Sequence, residues 1–291
     1  MTENPVCGIL HFGELGTSLA RLLIQQGCPV VTTTVDRSAD TRARAVRAGV
    51  HQLPSVPAVI SESEIVFSLV HPAASVGVAT EFLQVRSDLE SSCLFVDGNS
   101  IGPLEVEVLR KAFESAGADW VDMTIHGTAD RLGDKGVAYL SGRRGPEMES
   151  LLGSFLRTVV VSETAGDASL FKQTLASFSK TLNALFLESA ILASQNGLFE
   201  LFLQEFMKFY PGVYPPIERM LPSFCQHVDR RVTELKNIET MARQHEASSH
   251  LATAAARFFE AVKNNLKTVE FDSGESPEEK IRKILSKLTA T

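Results

Sequence analysis

The sequence predicts a doubly wound α/β domain over residues 1–163 and an all-α domain over residues 164–291, joined through one long interdomain helix. Three observations carry this expectation. Short apolar runs alternate with helix-length segments as far as residue 161. Strands separated by such helices pair in parallel through right-handed crossovers, because a tight hairpin cannot join parallel strands. After Gly166 the pattern changes, and residues 168–196 contain neither proline nor glycine. Across that stretch Leu170, Phe171, Leu175, Phe178, Leu182, Leu185, Phe186, Ile191 and Leu192 recur at helical spacing. Finally, 291 residues at 44% hydrophobic content can bury two separate cores.

In chain order, residues 6–10 read as a strand, 17–26 as a helix closed by Gly27, and 30–34 as a second strand. A helix over 41–48 ends at Gly49, and apolar runs follow at 65–70 and 93–97. A helix over 104–116, a strand over 120–125 and two short runs at 137–141 and 158–161 complete the first half. The long helix over 168–196 is apolar on more than one face, so it is expected to be buried in the middle of a packed structure. Helices over 197–209, 230–244 and 248–264 follow, and the proline-rich residues 210–216 read as a break. A polar linker at 273–277 leads into a last helix over 277–288, with proline and acids in its first turn and lysine near its end.

Composition excludes several classes. A net charge of -7 opposes any role in holding a nucleic-acid backbone, although it leaves room for a local basic pocket. No run approaches the ~18 apolar residues of a membrane span. The N-terminal residues lack the basic and apolar regions of a signal peptide. The four cysteines, Cys7, Cys28, Cys93 and Cys225, are scattered without a C-x-x-C pair, so neither a disulfide framework nor a zinc site is expected. His227, His245 and His250 lack metal-ligand spacing, and no metal is expected. These features together predict a cytoplasmic protein.

The dinucleotide fingerprint G-x-G-x-x-G needs its glycines between a strand and a helix. Here the register is His11-Phe12-Gly13-Glu14-Leu15-Gly16, with the first glycine replaced by histidine. Gly13 would let the backbone approach a pyrophosphate, Gly16 would let helix and strand pack closely, and the helix N-terminus would offer N–H groups to the anion. Histidine tolerates the positive φ of the first position at a cost of roughly 1–2 kcal/mol. The competing reading is a turn that caps a helix. Cofactor choice is made at the end of the second strand, where an acid suits NAD and a small polar residue followed by arginine suits NADP. The register there favours Thr34, Arg37 and Ser38 turning inward, and hence NADP(H) over NAD(H). If Asp36 turned inward instead it would repel a 2′-phosphate, and a solvated Asp36–Arg37 surface pair is the plain alternative. These signs make the first domain a Rossmann domain.

These residues resemble the β-hydroxyacid dehydrogenase superfamily, which includes 3-hydroxyisobutyrate and 6-phosphogluconate dehydrogenases. The chain is most similar to the phosphogluconate dehydrogenase-like subfamily with its own C-terminal domain. The family's G-x-x-G-x-G-x-M-G run corresponds to the stretch from Gly8 to Gly16. Its V-P-x-x-x run, which lies against the cofactor, appears as Val70-His71-Pro72-Ala73-Ala74. Its D-x-S-T-x-x-P loop appears from Asp97 to Pro103, and its D-x-x-V-S-G-G strand and loop from Asp122 to Thr128. The resemblance implies that Lys172, six residues after Gly166, is the catalytic lysine. It also implies that Asn99 contacts cofactor and substrate, and that Ser100, His126, Gly127 and Lys172 hold the substrate. Three departures stand out. His11 replaces a glycine, His126 replaces a serine, and Leu175 and Ala176 occupy the places where an asparagine is usual one turn past the lysine.

A lysine can exchange a proton with an alcohol only if its pKa falls from about 10.4 to near 7–8, which costs about 4 kcal/mol and which burial can supply. Lys172 lies between Phe171 and Leu175 on the apolar helix, where desolvation is expected; the plain alternative is a snorkelling lysine at a helix start. Lys180, about two turns further on, is a second candidate, with a structural or cofactor-phosphate role. Asn99 and Ser100 can equally form a turn and helix cap, and His71 and His126 can be simple packed or surface residues. The leading expectation is an NADP-dependent oxidoreductase acting on a small acidic hydroxy or keto compound. An imine reductase or reductive aminase, and a non-catalytic NADP(H) sensor, are the alternatives. The extent of apolar surface on the long helix further predicts a homodimer built on the helical half.

Overall fold

The computed structural model describes residues 4–289. The chain divides into two compact units, Met1–Lys172 and Gln173–Thr291, and the division falls inside the long helix. In the first unit β1 (Cys7–Leu10), α1 (Glu14–Gln25), β2 (Val30–Thr32), α2 (Ala39–Arg47), β3 (His51–Gln52), α3 (Val56–Glu62) and β4 (Ile65–Ser68) follow one another. Then come α4 (Ser75–Asp88), β5 (Leu94–Asp97), α5 (Pro103–Ser115), β6 (Trp120–His126), α6 (Leu132–Lys135), β7 (Val137–Ser141), α7 (Gly145–Leu152) and β8 (Arg157–Ser162). The strands form a single sheet in the order β3-β2-β1-β4-β5-β6-β7-β8.

The inner strands β1, β4 and β5 are buried throughout, as strands covered on both faces must be. One face packs Ile9, Phe67, Val96 and Met123 against Leu19 and Leu23 of α1. The other packs Leu10, Val66 and Phe95 under α3, α4 and α5. There Phe95 meets Phe82 at 4.7 Å and Phe113 at 5.4 Å, and Phe113 meets Trp120 at 5.5 Å between ring centroids. Such contacts add ~0.5–1.5 kcal/mol each beyond area burial.

Parallel pairing fails at one step. β6 and β7 run antiparallel, from Asp122↔Ser141 to His126↔Val137. The segment between them holds only a 3-10 turn and the one-turn helix α6, too little to carry the chain back for a parallel crossover.

In the second unit α8 (Asp167–Gln195), whose first turn belongs to the first unit, is followed by α9 (Phe199–Phe209), α10 (Tyr214–Gln226), α11 (Val228–Gln244), α12 (His250–Leu266) and α13 (Pro277–Thr289). The expectation that the long helix is buried on more than one face is corrected. Ala184, Phe186, Leu187 and Ala190 join the helical core, whereas Phe178, Leu185 and Leu192 are exposed. The break expected over residues 210–216 is also shorter than predicted. α10 starts at Tyr214 and takes Pro215 and Pro216 into its first turn, where a missing N–H does no harm. Among the described residues no helix is long and apolar enough to cross a membrane.

Candidate functional site

The chain leaves β1 toward β2 and β3 on one side of the sheet and resumes on the other side at β4, so the strand order reverses between β1 and β4. Open α/β sheets bind ligands at the carboxyl ends of the strands beside such a reversal. At the end of β1, His11 adopts φ 59° and Gly13 forms the N-cap of α1. The Thr17 N–H and hydroxyl both donate to the Gly13 carbonyl, at 2.9 and 2.8 Å. A β-carbon on Gly13 would meet nothing nearer than the His11 carbonyl at 4.0 Å, so the turn lies open above it. On Gly16 it would sit 3.2 Å from Ile9 Cγ2, which is the close helix–strand approach that glycine permits. The turn therefore fits the pyrophosphate of a dinucleotide. Phe12 is buried and Leu15 packs against the core, so these two offer backbone alone, while Glu14 is exposed and 3.7 Å from Arg44.

β2 ends at Thr32, and neither Thr33, Thr34 nor Val35 beyond it is an acid. The Thr34 hydroxyl donates to the Gln52 side chain. Ser38 caps α2 by accepting the Thr41 N–H at 3.2 Å. Arg37 reaches back and donates to Nδ1 of His11. Asp36 is exposed in a left-handed conformation beyond the strand.

At the end of β4 the Val70 N–H donates to Asn99 Oδ1 at 2.6 Å, and His71 accepts the Ala73 N–H at 3.3 Å to open the 3-10 turn at Pro72. Asn99 is buried, and its amide also donates to Ser68 Oγ at 3.3 Å and to Asp97. Asn99 thus braces the ends of β4 and β5 together.

The other half of the site lies at the ends of β5 and β6. Asp122, buried in β6, accepts the Ser169 N–H at 2.7 Å and the Ser169 hydroxyl at 2.8 Å. Ser141 on β7 accepts the Ala168 N–H at 2.9 Å, and Arg110 on α5 pairs with Asp167 at 2.5 Å. These bonds satisfy the free amides of the α8 N-terminus and fix its first turn. One turn later Lys172 Nζ donates to Ser100 Oγ at 2.6 Å and to the Ile125 carbonyl at 2.6 Å. Ser100 in turn lies 3.4 Å from Thr124 Oγ1. His126 is exposed at the end of β6, and Gly127 follows with φ 141°. The structure therefore brings Lys172 and Ser100 into contact and places His126 and Gly127 beyond the carbonyl that Lys172 bonds.

Two carboxylates lie buried under this corner, in register on neighbouring strands. Burial and the neighbouring Asp122 charge push Asp97 up to about 7. Burial pushes Asp122 up to about 6, against the hydrogen bonds from Ser169 and Ser141 that favour its charged form. Asp122, Ser141 and Ser169 are not expected from the motifs; the one signal in the sequence is an acid inside the apolar run of β6. Lys180 is buried and pairs with Glu234 of α11 at 3.1 Å, which makes it a structural ion pair.

A family model described as the NAD binding domain of 6-phosphogluconate dehydrogenase matches residues 7–150. A conserved protein of unknown function, whose solved structure shows similarity with 3-hydroxyacid dehydrogenases, is 29% identical with a TM-score of 0.74. That alignment covers 89% of this chain and 97% of the other. Both findings support kinship with the β-hydroxyacid dehydrogenase superfamily. An uncharacterized 28.5 kDa protein of Methanothermus fervidus is 24% identical over 88% of this chain and 98% of its own length. The fold is shared with Mycobacterium tuberculosis 3-hydroxyisobutyrate dehydrogenase, at 16% identity, a TM-score of 0.71 and coverage of 90% and 94%. It is shared also with an imine reductase from Bacillus cereus, at 15% identity, a TM-score of 0.62 and coverage of 95% and 98%. Nicotinamide-dinucleotide binding by the first unit follows from the family and from the open turn at Gly13.

Proposed function

We propose that this superfamily member is an NADP-dependent oxidoreductase that moves hydride between a nicotinamide and a small, acidic hydroxy or keto substrate, with Lys172 as general acid/base. The observation that carries the reading is Lys172 Nζ held 2.6 Å from Ser100 Oγ at the carboxyl ends of β5 and β6. Bound nicotinamide supplies or accepts the hydride. In the reducing direction a proton leaves Lys172 Nζ for the substrate oxygen, and in the oxidising direction Lys172 receives it back. Ser100 orients Nζ, and Ser100, His126 and Gly127 surround the place where the substrate oxygen is received. The amides at Gly13 to Gly16 hold the pyrophosphate at the N-terminus of α1. The lack of an acid at the end of β2, with Arg37 just beyond it, supports NADP over NAD.

A second reading rests on Ala176, which stands one turn beyond Lys172 where the superfamily resemblance leads one to look for asparagine. On this reading the substrate is an imine. NADPH fluorescence titration followed by turnover of a panel of keto acids and cyclic imines separates the two. Turnover of keto acids is expected; turnover of imines alone favours the second reading, and tight binding with no turnover of either overturns both in favour of a sensor.

The exposed side of α8 supports a homodimer. Phe178, Leu185 and Leu192 recur every seven residues and are 74%, 63% and 57% exposed. An apolar stripe at this spacing is the seam of helix pairing, and a second copy of the same helix supplies the matching surface. Light scattering at micromolar concentration is expected to give a dimeric mass, and a monomeric mass contradicts it. The buried free cysteines support action in the reducing cytoplasm.

A further inference from the structure

His11 keeps the backbone of the glycine that it replaces, with φ 59°. A side chain is uncommon in that conformation and needs a reason to be there. Its ring meets the loop after β2, where Arg37 Nη2 donates to Nδ1. A guanidinium has only donors, so Nδ1 must accept, and the ring is neutral with its proton on Nε2. Burial lowers the His11 pKa and the Arg37 charge pushes it the same way, so the neutral form persists. Nε2 is buried with no hydrogen-bond partner among the described residues. A ring placed for stability alone would not leave a buried donor unsatisfied.

Arg37 is set from its other end as well. Its N–H donates to the Thr34 carbonyl at 3.1 Å, and its own carbonyl accepts from Arg42. Among the described residues it pairs with no carboxylate: Asp40 and Glu14 are taken by Arg44, at 2.6 and 3.7 Å. An unneutralised guanidinium is thus pinned between the two loops that flank the adenosine half of a dinucleotide.

We infer that His11 is a specificity-determining residue, which positions the Arg37 guanidinium so that a dinucleotide with a 2′-phosphate on its adenosine ribose is taken in preference to one without. The inference deepens the NADP reading above and rests on it. Holding Arg37 in place removes the cost of ordering its side chain when the phosphate arrives. A glycine at position 11 would leave the pyrophosphate turn intact but free the guanidinium.

The test is fluorescence titration of the full chain with NADPH and with NADH, for wild type, His11→Gly, Arg37→Ala and the double variant. Wild type is expected to prefer NADPH. In His11→Gly the NADPH Kd is expected to rise about tenfold, the scale of one charge-assisted hydrogen bond, while the NADH Kd changes by less than about twofold. Because His11 acts through Arg37, the double variant is expected to match Arg37→Ala alone. Equal weakening of both cofactors in His11→Gly, an unchanged NADPH Kd, or additive losses in the double variant would each overturn the inference while leaving the NADP reading intact. A wild type that does not prefer NADPH overturns both. Melting temperatures of all four proteins, and His11→Asn as a second variant that also tolerates the left-handed conformation, keep the result readable if one variant folds poorly.

Discussion

The two ends of the site are built from different materials. At the β1–α1 turn the groups proposed to bind the cofactor are backbone amides, and the side chains of Phe12 and Leu15 face the core. At the ends of β5 and β6 the proposed working group is a side chain, Lys172, whose position depends on a chain of other side chains: Asp122 holds Ser169, Ser141 holds Ala168, and Arg110 holds Asp167. A backbone-built site absorbs substitutions, because any residue supplies the same amide. A side-chain network passes a single substitution straight to the reacting group. That contrast accounts for a fingerprint that survives a histidine in place of its first glycine.

The sharpest way to break the contrast is Asp122→Asn. It removes one of two carboxylate oxygens that fix the first turn of α8, one turn before Lys172. Turnover is expected to fall about 10- to 100-fold, the scale of a misplaced reacting group, with the NADPH Kd within about twofold of wild type. Unchanged turnover would show that Lys172 does not depend on this anchor. A parallel loss of NADPH affinity would show that the two ends are not separable.

A smaller effect tests the burial of the carboxylates. Asp97 is raised to about 7, so the folded protein holds a proton there that the unfolded chain releases near its ordinary value of 3.8. Its contribution is therefore fully present below pH 3.8 and is lost as the pH rises through 7. Between pH 8 and pH 6 the stability of wild type is expected to rise by about 1 kcal/mol relative to Asp97→Asn, a few degrees in Tm. Parallel pH profiles for the two proteins would mean that Asp97 does not titrate in that window.

The smallest effect is expected at Thr34. Its hydroxyl is bonded to Gln52, so Thr34→Val is expected to change the NADPH Kd by less than about twofold while lowering stability by about 1 kcal/mol. A tenfold rise in Kd would restore the cofactor contact expected from sequence.

The parts legible in the sequence are those that depend on local pattern. β1, β4 and β5 are short, apolar and wholly buried, and the glycines of the α1 turn sit at fixed offsets from β1. β3 escaped because it is two exposed polar residues that pair only through β2. α4 lacks a clear apolar stripe and includes Gly77, and α10 hides behind prolines that its first turn accommodates. The run over 137–141 was legible as β7, but its antiparallel direction was not, since apolar periodicity says nothing about strand direction. In the site the same division holds. Lys172 and Ser100 were identified through their motifs, but their contact spans 72 positions and the Asp122–Ser169 anchor spans 47. Asn99 and Thr34 carry polar groups that suit a ligand, and only the fold shows that Val70 and Gln52 take them.

In the proposed mechanism Lys172 carries the proton while the β1–α1 turn carries the cofactor. Lys172→Met tests it directly, with turnover and NADPH binding measured on the same preparation. Turnover is expected to fall about 10²- to 10⁴-fold, with NADPH affinity unchanged. Full turnover in Lys172→Met would contradict it.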